Sequence, residues 1–360
     1  MITLLVPTMN RSDFLIRLLR YYEEIGFEGC ICIGDSSSPE HVEQTKKAIE
    51  TLRGKLNIIY QEYPGINDAV CLKRLLDLVS TPYAAFVADD DFLVPSALNQ
   101  CAEFLGEHPD YVAAHGVGIG IGLDSEGSYG GRIVQCGHYR QPMIEAESAS
   151  QRLDDHLSHY SVTLFSVHRI ESWRAMYRDV HLLKDKTFGS ELLPCCKSVI
   201  LGKSKELKCL YVVRQDHAQR YLLPDMYEWI TSPEWYSSYL VFRDGLAEAL
   251  TLQDNISIEK AQKVVKQAFW SYLVMCLSQQ LGSWRGSRNR WCQVAGTIPG
   301  VRRIWQLLHS LRPKQHSELS LSVLLRPSSP YHADFMPVYK ALTTPPTEFS
   351  NKTVGKYRIK

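Results

Sequence analysis

Apolar positions in the first part of the chain follow two alternating patterns. Residues 2–6 form a short unbroken apolar run ending at Pro7, the pattern of a strand buried on both faces. Runs at 30–33, 56–60 and 83–88 repeat it. Between the first two, Ser12 opens a helix that carries Phe14, Leu15, Leu18, Leu19, Tyr22 and Ile25 on one face and closes at Gly26. A second helix is expected over 42–52. A third, capped by Asn67 or Asp68, carries Ala69, Leu72, Leu75, Leu76 and Val79. Strands alternating with amphipathic helices predict an α/β fold, a Rossmann-like and mostly parallel sheet flanked by helices.

From Tyr111 the pattern changes. Strands are expected at 112–121, 161–167 and 207–213, with a turn at 124–131, a weakly patterned stretch at 136–153 and a helix over 190–201. Beyond Pro224 strand signals fade. Helices are expected over 236–250 and 258–281, the second with Ala261, Val264, Val265, Ala268, Phe269, Tyr272 and Leu273 in register. The proline-rich stretch after Leu325, which holds Pro327, Pro330, Pro337, Pro345 and Pro346, reads as irregular. The expected division is therefore an α/β domain at 1–224, a helical C-terminal domain at 225–325 and an irregular tail at 326–360.

Composition narrows the class. With 360 residues, 45% hydrophobic and 22% charged, the chain has ample material for a buried core. A net charge of +1 gives no global reason to expect nucleic acid as a partner. Ten cysteines without a CxxC pair read as reduced thiols. No basic, apolar leader opens the sequence and no apolar run is long enough to span a bilayer, so a cytoplasmic location is expected. Local charge is less even. No acidic residue falls between Glu259 and Glu318, whereas Lys260, Lys263, Lys266 and seven further basic residues do, interleaved with Trp270, Trp284, Trp291 and Trp305. A basic helical domain with buried tryptophans accounts for this. So does peripheral contact of 260–317 with anionic lipid, which would put the protein at the inner face of the membrane.

The chemistry gathers at predicted strand ends, where ligands of open α/β sheets bind. Strand one delivers Pro7-Thr8-Met9-Asn10-Arg11, strand two Asp35, and the fourth Asp89-Asp90-Asp91. Adjacent carboxylates repel unless a cation or hydrogen-bond donors neutralise them, and such oxygen ligands suit Mg²⁺ or Mn²⁺. A solvated acidic turn leading into a helix at Pro95 explains the triplet alone but not its placement with Asp35.

The ordered set Val6-Pro7-Thr8-Met9-Asn10-Arg11, Asp35 and Ala88-Asp89-Asp90-Asp91 resembles the family 2-type glycosyltransferases of GT-A fold, closely over 1–115 and loosely over 116–217. The resemblance implies transfer of a sugar from a nucleotide-sugar donor to a hydroxyl of a glycan, lipid-linked or protein acceptor, with inversion, in surface-glycan or protein glycosylation. It assigns Pro7, Thr8, Arg11, Asp35 and Asp89 to base and ribose, and Asp91 to a Mn²⁺ or Mg²⁺ ion. Asp90 shares the donor site, since a triple aspartate leaves the DxD register open by one residue. Asn67 and Lys73 lie where the family carries polar residues, Lys73 within reach of a diphosphate. Glu191, at a helix start after Gly189-Ser190, is expected as the general base, with Asp185 second. Arg214 and His217 lie at the last strand end, His217 as a further metal ligand. The QxxRW form of processive members is missing, which speaks against polymer synthesis.

Other readings stay open. A metal-independent transferase using a CMP-activated acidic sugar fits the same residues, as does a non-catalytic nucleotide- or glycan-binding protein of this fold. Nucleotidyl transfer onto a sugar phosphate fits less well, because the strand-one loop lacks a glycine-rich cradle. Gly116, Gly118, Gly120 and Gly122 alternate within a strand and do not form a phosphate-binding turn. His156 and His159 find no further ligands at zinc spacing. The vicinal Cys195-Cys196 pair reads as core.

Overall fold

The computed structural model describes residues 2–220, 224–287 and 318–345, with side chains of 281–287 left aside. Four strands open the fold: β1 (Ile2–Thr8), β2 (Cys30–Asp35), β3 (Asn57–Glu62) and β4 (Tyr83–Phe86). They pair in parallel in the order β3-β2-β1-β4. Right-handed crossover logic requires a helix between parallel neighbours. The chain supplies α1 (Ser12–Glu24), α2 (Pro39–Thr51) and α3 (Asp68–Leu76). Leu4 and Val6 of β1 face one side of the sheet, with Leu15, Leu18 and Ile31. Leu5 faces the other, with Leu72, Leu75 and Trp173. Burial on both faces is why the strand reads as an unbroken apolar run.

Beyond β4 the sheet becomes mixed. The two-residue β5 (Phe92–Leu93) leads into α4 (Pro95–Glu107), then the long β6 (Tyr111–Leu123) and β7 (Ile133–Tyr139) form a hairpin. After α5 (Ala149–Ser158), β8 (Val167–Arg169) pairs antiparallel with both β4 and β6. Next come α6 (Ile170–Tyr177), a 3₁₀ turn at Val180–Leu182, a π-helical turn at Thr187–Leu192 and α7 (Leu193–Leu201). Finally β9 (Lys203–Asp216) runs parallel to β6 and antiparallel to β5. The strand expected over 161–167 is mostly loop. The Ser166 N–H turns back to the Leu164 carbonyl at 2.8 Å, the closure of a γ-turn, and only the last residue of the run enters the sheet.

Helices α8 (Met226–Ile230), α9 (Trp235–Asp254) and α10 (Ile258–Ser287) follow, with Asn255 in the left-handed region at φ 51° closing α9. They share a core with α5 and α7 that includes Phe188, Phe242, Leu246, Val265 and Phe269. Asp254 also caps α5, accepting the Ala149 and Ser150 N–H groups at 2.8 Å each. A short α11 (Leu321–Leu324) ends the region expected to be helical, and the stretch expected to be irregular contains α12 (His332–Thr343). The prolines that suggested an irregular tail mostly bracket α12 rather than break it. Phe335, Val338 and Leu342 bury against the α1 face of the sheet. Of the basic tryptophan-rich stretch, 288–317 lies outside the described residues. Among the described residues, no helix is long and apolar enough to cross a membrane.

Candidate active site

The acidic triplet occupies the loop after β4, at the carboxyl ends of β1 and β4. The Val87 N–H bonds to the Leu5 carbonyl at 3.1 Å, and the Asp91 N–H closes a turn on the Ala88 carbonyl at 3.1 Å. All three carboxylates are buried. Their donors come from the end of β1 and from the end of β9. Thr8 Oγ1 donates to Asp89 Oδ2 at 2.7 Å, and Arg11 Nη2 stands 2.7 Å from Asp89 Oδ1. Asp90 Oδ2 is 2.8 Å from both Arg11 Nη1 and His217 Nε2. Asp91 Oδ2 accepts from Arg214 Nε at 2.9 Å, and its Oδ1 accepts the Gln215 N–H at 3.1 Å.

The electrostatics follow from this crowding. Burial drives the Asp89 carboxyl up to about 7 against the pull of Arg11, and neighbouring Asp90 adds to the rise. Burial likewise raises Asp91 to about 6, opposed by Arg214. Burial would raise Asp90 too, but the His217 hydrogen bond and the Arg11 charge outweigh it and hold that carboxyl below its usual range. Asp90 is thus the member held most firmly as a carboxylate.

On the β2 side, Asp35 Oδ2 accepts from the Tyr60 hydroxyl at 2.8 Å and its Oδ1 from the Ser37 N–H at 2.9 Å. Asn10, at φ 56°, clasps the two strand-end loops: its N–H bonds to Ser37 Oγ at 2.7 Å and its Oδ1 accepts the Ser38 N–H at 2.8 Å. Pro7 pairs with Gly34, past the last β1–β4 pair. Beside Asp35 opens a cleft of about 380 Å³, lined by Ser37, Pro39, Val42, Lys46 and Glu62 among others.

Glu191 sits in the π-helical turn before α7, a geometry that recurs at functional sites. Its Oε1 accepts from the Tyr160 hydroxyl at 2.9 Å. Burial raises its carboxyl, opposed by that hydrogen bond and by the nearby charge of Arg214, so Glu191 and Arg214 share one environment. Asp185 is used differently. Its Oδ1 accepts the Phe188 N–H and Trp229 Nε1, both at 3.0 Å, which anchors α8 on this segment. Two expected donor-site residues are also committed elsewhere. Asn67 caps α3 by accepting the Val70 N–H at 2.9 Å. Lys73 donates to the Arg178 carbonyl at 2.7 Å and lies 2.9 Å from His181 Nδ1, because α3 packs against the 3₁₀ turn there rather than presenting this side chain to the triplet.

Several participants were not singled out from sequence. Arg17 is buried in α1; it donates to the Asp90 carbonyl at 2.8 Å and to the Ser128 carbonyl and Gln215 Oε1. Its guanidinium also packs on the Phe14 and Phe92 rings at 5.1 and 4.8 Å. It joins the acidic loop, β9 and the turn of the β6–β7 hairpin. Its helical spacing from Phe14 and Tyr21 put it on the inner face, a signal that periodicity carried. Tyr60 had no such signal beyond its place at the end of β3. Two of the alternating glycines of β6, Gly116 and Gly118, serve close strand approach, whereas Gly120 has open space around it. A Cβ on Gly116 would come within 2.4 Å of the Cys209 carbonyl, and one on Gly118 within 2.8 Å of the Tyr139 carbonyl.

The divalent ion implied by the sequence resemblance was expected on Asp91 and His217. As arranged, both Asp91 oxygens are taken by Arg214 and Gln215, and His217 faces Asp90 while stacking on Phe14 at 4.6 Å. No group of three or more His, Cys, Asp or Glu side chains among the described residues is placed to hold a metal ion. The donor set as it stands does not fit a divalent ion.

No family model matches the chain, and no curated protein matches it. Solved structures with a similar course include S. aureus TarS 1-349 in complex with UDP-GlcNAc, 16% identical over 76% of this chain and 72% of that one, with a TM-score of 0.48. The same protein with UDP gives 16% identity, coverage of 75% and 70%, and a TM-score of 0.46. The mannosyltransferase PcManGT from Pyrobaculum calidifontis, in complex with GDP-Man and Mn²⁺, is 10% identical over 86% and 84%, with a TM-score of 0.39. Likeness at this level carries no weight for activity.

Proposed function

We propose that the protein is an inverting glycosyltransferase of GT-A type that takes a nucleotide-sugar donor. One observation carries the reading. The ends of β1, β2 and β4 bring Thr8, Arg11, Asp35 and the Asp89–Asp91 loop around one site, directly beside an open cleft of about 380 Å³ at Asp35. A cleft of that size suits a nucleoside. Asp35 would take the base N–H, with Tyr60 and Ser37 fixing its carboxylate, and Asp89 would face the ribose.

In the transfer, the bond from the anomeric carbon to the donor phosphate oxygen breaks as an acceptor hydroxyl oxygen attacks from the opposite face. The hydroxyl proton passes to Glu191, and the bonding pair leaves with the nucleotide. A carboxylate raised by burial is a better proton acceptor than an exposed one, which favours Glu191 as the base over Asp185, already spent on Phe188 and Trp229. Glu191→Gln should therefore lower transfer by about 10²–10⁴-fold while nucleotide affinity is kept. Unchanged turnover in that variant would remove Glu191 from the role, and a chain that binds nucleotide but never turns over would favour the binding-protein reading.

We also keep the helical region as a surface for the inner membrane face. Trp270, Val274 and Leu277 project outward from α10 at helical spacing, about one to four turns beyond the exposed Lys263 and Lys266. A glycan, lipid-linked or protein acceptor would approach from the side of Glu191.

A further inference from the structure

The acidic loop is met by cations of the chain itself. Asp89 and Asp90 pair with Arg11, Asp91 pairs with Arg214, and Arg17 donates to the Asp90 backbone carbonyl, so three guanidiniums stand at the aspartate loop. Arg214 is the one built to stay in place. Its Nε donates to Asp91, and its guanidinium carbon lies 4.2 Å from the centre of the Phe165 ring and 4.8 Å from that of Tyr139. Contact with two aromatic rings and a hydrogen bond through Nε leave little freedom to swing. Asp91 is fixed in turn by the Gln215 N–H on its other oxygen. The Arg214 side chain is nevertheless 34% exposed, whereas Asp91 is 1% exposed, so the cation rather than the carboxylate is what the site presents. A divalent ion on Asp91 would first have to expel Arg214 from its aromatic seat.

We propose that Arg214 takes the place of a divalent ion at the donor phosphate, and that Asp91 is a positioning residue for Arg214 rather than a metal ligand. The inference rests on the nucleotide-sugar reading above. It specifies that reading further: the donor, whether a nucleoside diphosphate sugar or a CMP-activated sugar, binds without metal.

The test is calorimetric titration of the full chain with UDP, GDP and CMP, each in EDTA and in excess Mn²⁺, alongside Mn²⁺ paramagnetic resonance. The expected result is binding of at least one nucleotide with affinity equal within about twofold in the two buffers, well under the tenfold that ~1.4 kcal/mol represents. Arg214→Ala should weaken that binding by about 100-fold, an effect in the range of a lost charge-assisted hydrogen bond to phosphate, with no rescue by Mn²⁺. Asp91→Asn should weaken it equally in both buffers, whereas loss of a metal ligand would show only with Mn²⁺. Phe165→Leu keeps every charge and opens the seat. It should weaken binding by about tenfold, with circular dichroism confirming the fold. Mn²⁺ tightening the native protein by more than about tenfold, or loss of the free Mn²⁺ resonance on adding protein with nucleotide, would overturn the assignment while leaving the transferase reading intact. Failure of all three nucleotides in both buffers would overturn the donor reading, and the role of Arg214 with it.

Discussion

Arg17 is the most consequential side chain that is not aimed at a substrate, and Arg17→Met measures what it holds. Burial lowers its guanidinium to about 10, so it remains charged at neutral pH inside the core. Methionine keeps an unbranched apolar stem beside Phe14 and Phe92 but removes the guanidinium and its donors to Asp90, Ser128 and Gln215. Each buried acceptor left without a partner costs about 1–3 kcal/mol, and Gln215 can turn away to recover part of this. The two backbone carbonyls cannot turn away, so the expected loss is about 2–6 kcal/mol. That is a large fraction of the ~5–15 kcal/mol available to a folded domain. Urea titration followed by tryptophan fluorescence reads the total. Amide hydrogen exchange reads its location, which should be the hairpin turn between Leu123 and Ile133. Arg53→Met, at a guanidinium that is 79% exposed, is the control and should stay within about 0.5 kcal/mol. A loss below about 1 kcal/mol for Arg17→Met, or a loss with the hairpin turn equally protected, would refute the reasoning.

Two further expectations concern acid and lipid. His156 is buried with no hydrogen-bond partner on either ring nitrogen among the described residues, and burial pushes it down to about 3; His115 and His168 go to about 4. A histidine with a folded-state value below its unfolded one is protonated first in the unfolded chain. Stability should thus fall as pH drops below about 6.5, by ~2 kcal/mol at pH 5 for His156. The raised Asp89 and Asp91 act in the opposite sense, gaining stability as pH falls through about 7 and 6, so the difference between native protein and His156→Phe isolates the histidine. Thermal melting at neutral pH and at pH about 5 should show a smaller acid loss in the variant. Equal losses would place the acid sensitivity elsewhere. Vesicle co-sedimentation should show binding to anionic but not zwitterionic bilayers. Replacing Lys263 and Lys266 together by alanine should weaken that binding by about 30-fold, at ~1 kcal/mol for each lysine. Equal binding to both vesicle types would remove the electrostatic contribution.

What the sequence made legible tracks how locally each feature is encoded. β1 to β4 and the helices between them follow from continuous apolar runs and 3.6-residue periodicity, both of which survive any tertiary arrangement. The strand-end placement of Thr8, Asp35 and the aspartates comes with them. β5 has only two residues, and β7 borrows its conformation from pairing with β6, so neither has a period to detect. Proline counting misled at α12, where Pro327 and Pro330 precede the helix and Pro337 is accommodated inside it. Least legible were the partners of charged groups. That Arg214 would meet Asp91 across 123 positions, and that Lys73 would turn to Arg178, depends on how distant elements dock.

The seating of α12 bears on how the chain is made. Phe335, Val338 and Leu342 complete the core that begins with Leu4 and Val6, and the Leu342 carbonyl accepts the Gly130 N–H at 3.0 Å. A nascent chain that has already emitted every strand of the sheet still lacks this cover while some hundred further residues are translated. During that interval the apolar face that will receive α12 stays open to water and to chaperones. The part of the sheet that carries the candidate site is therefore encoded first and sealed last, and an early stop before Phe335 would yield a chain with all nine strands of the described sheet and an unsealed core.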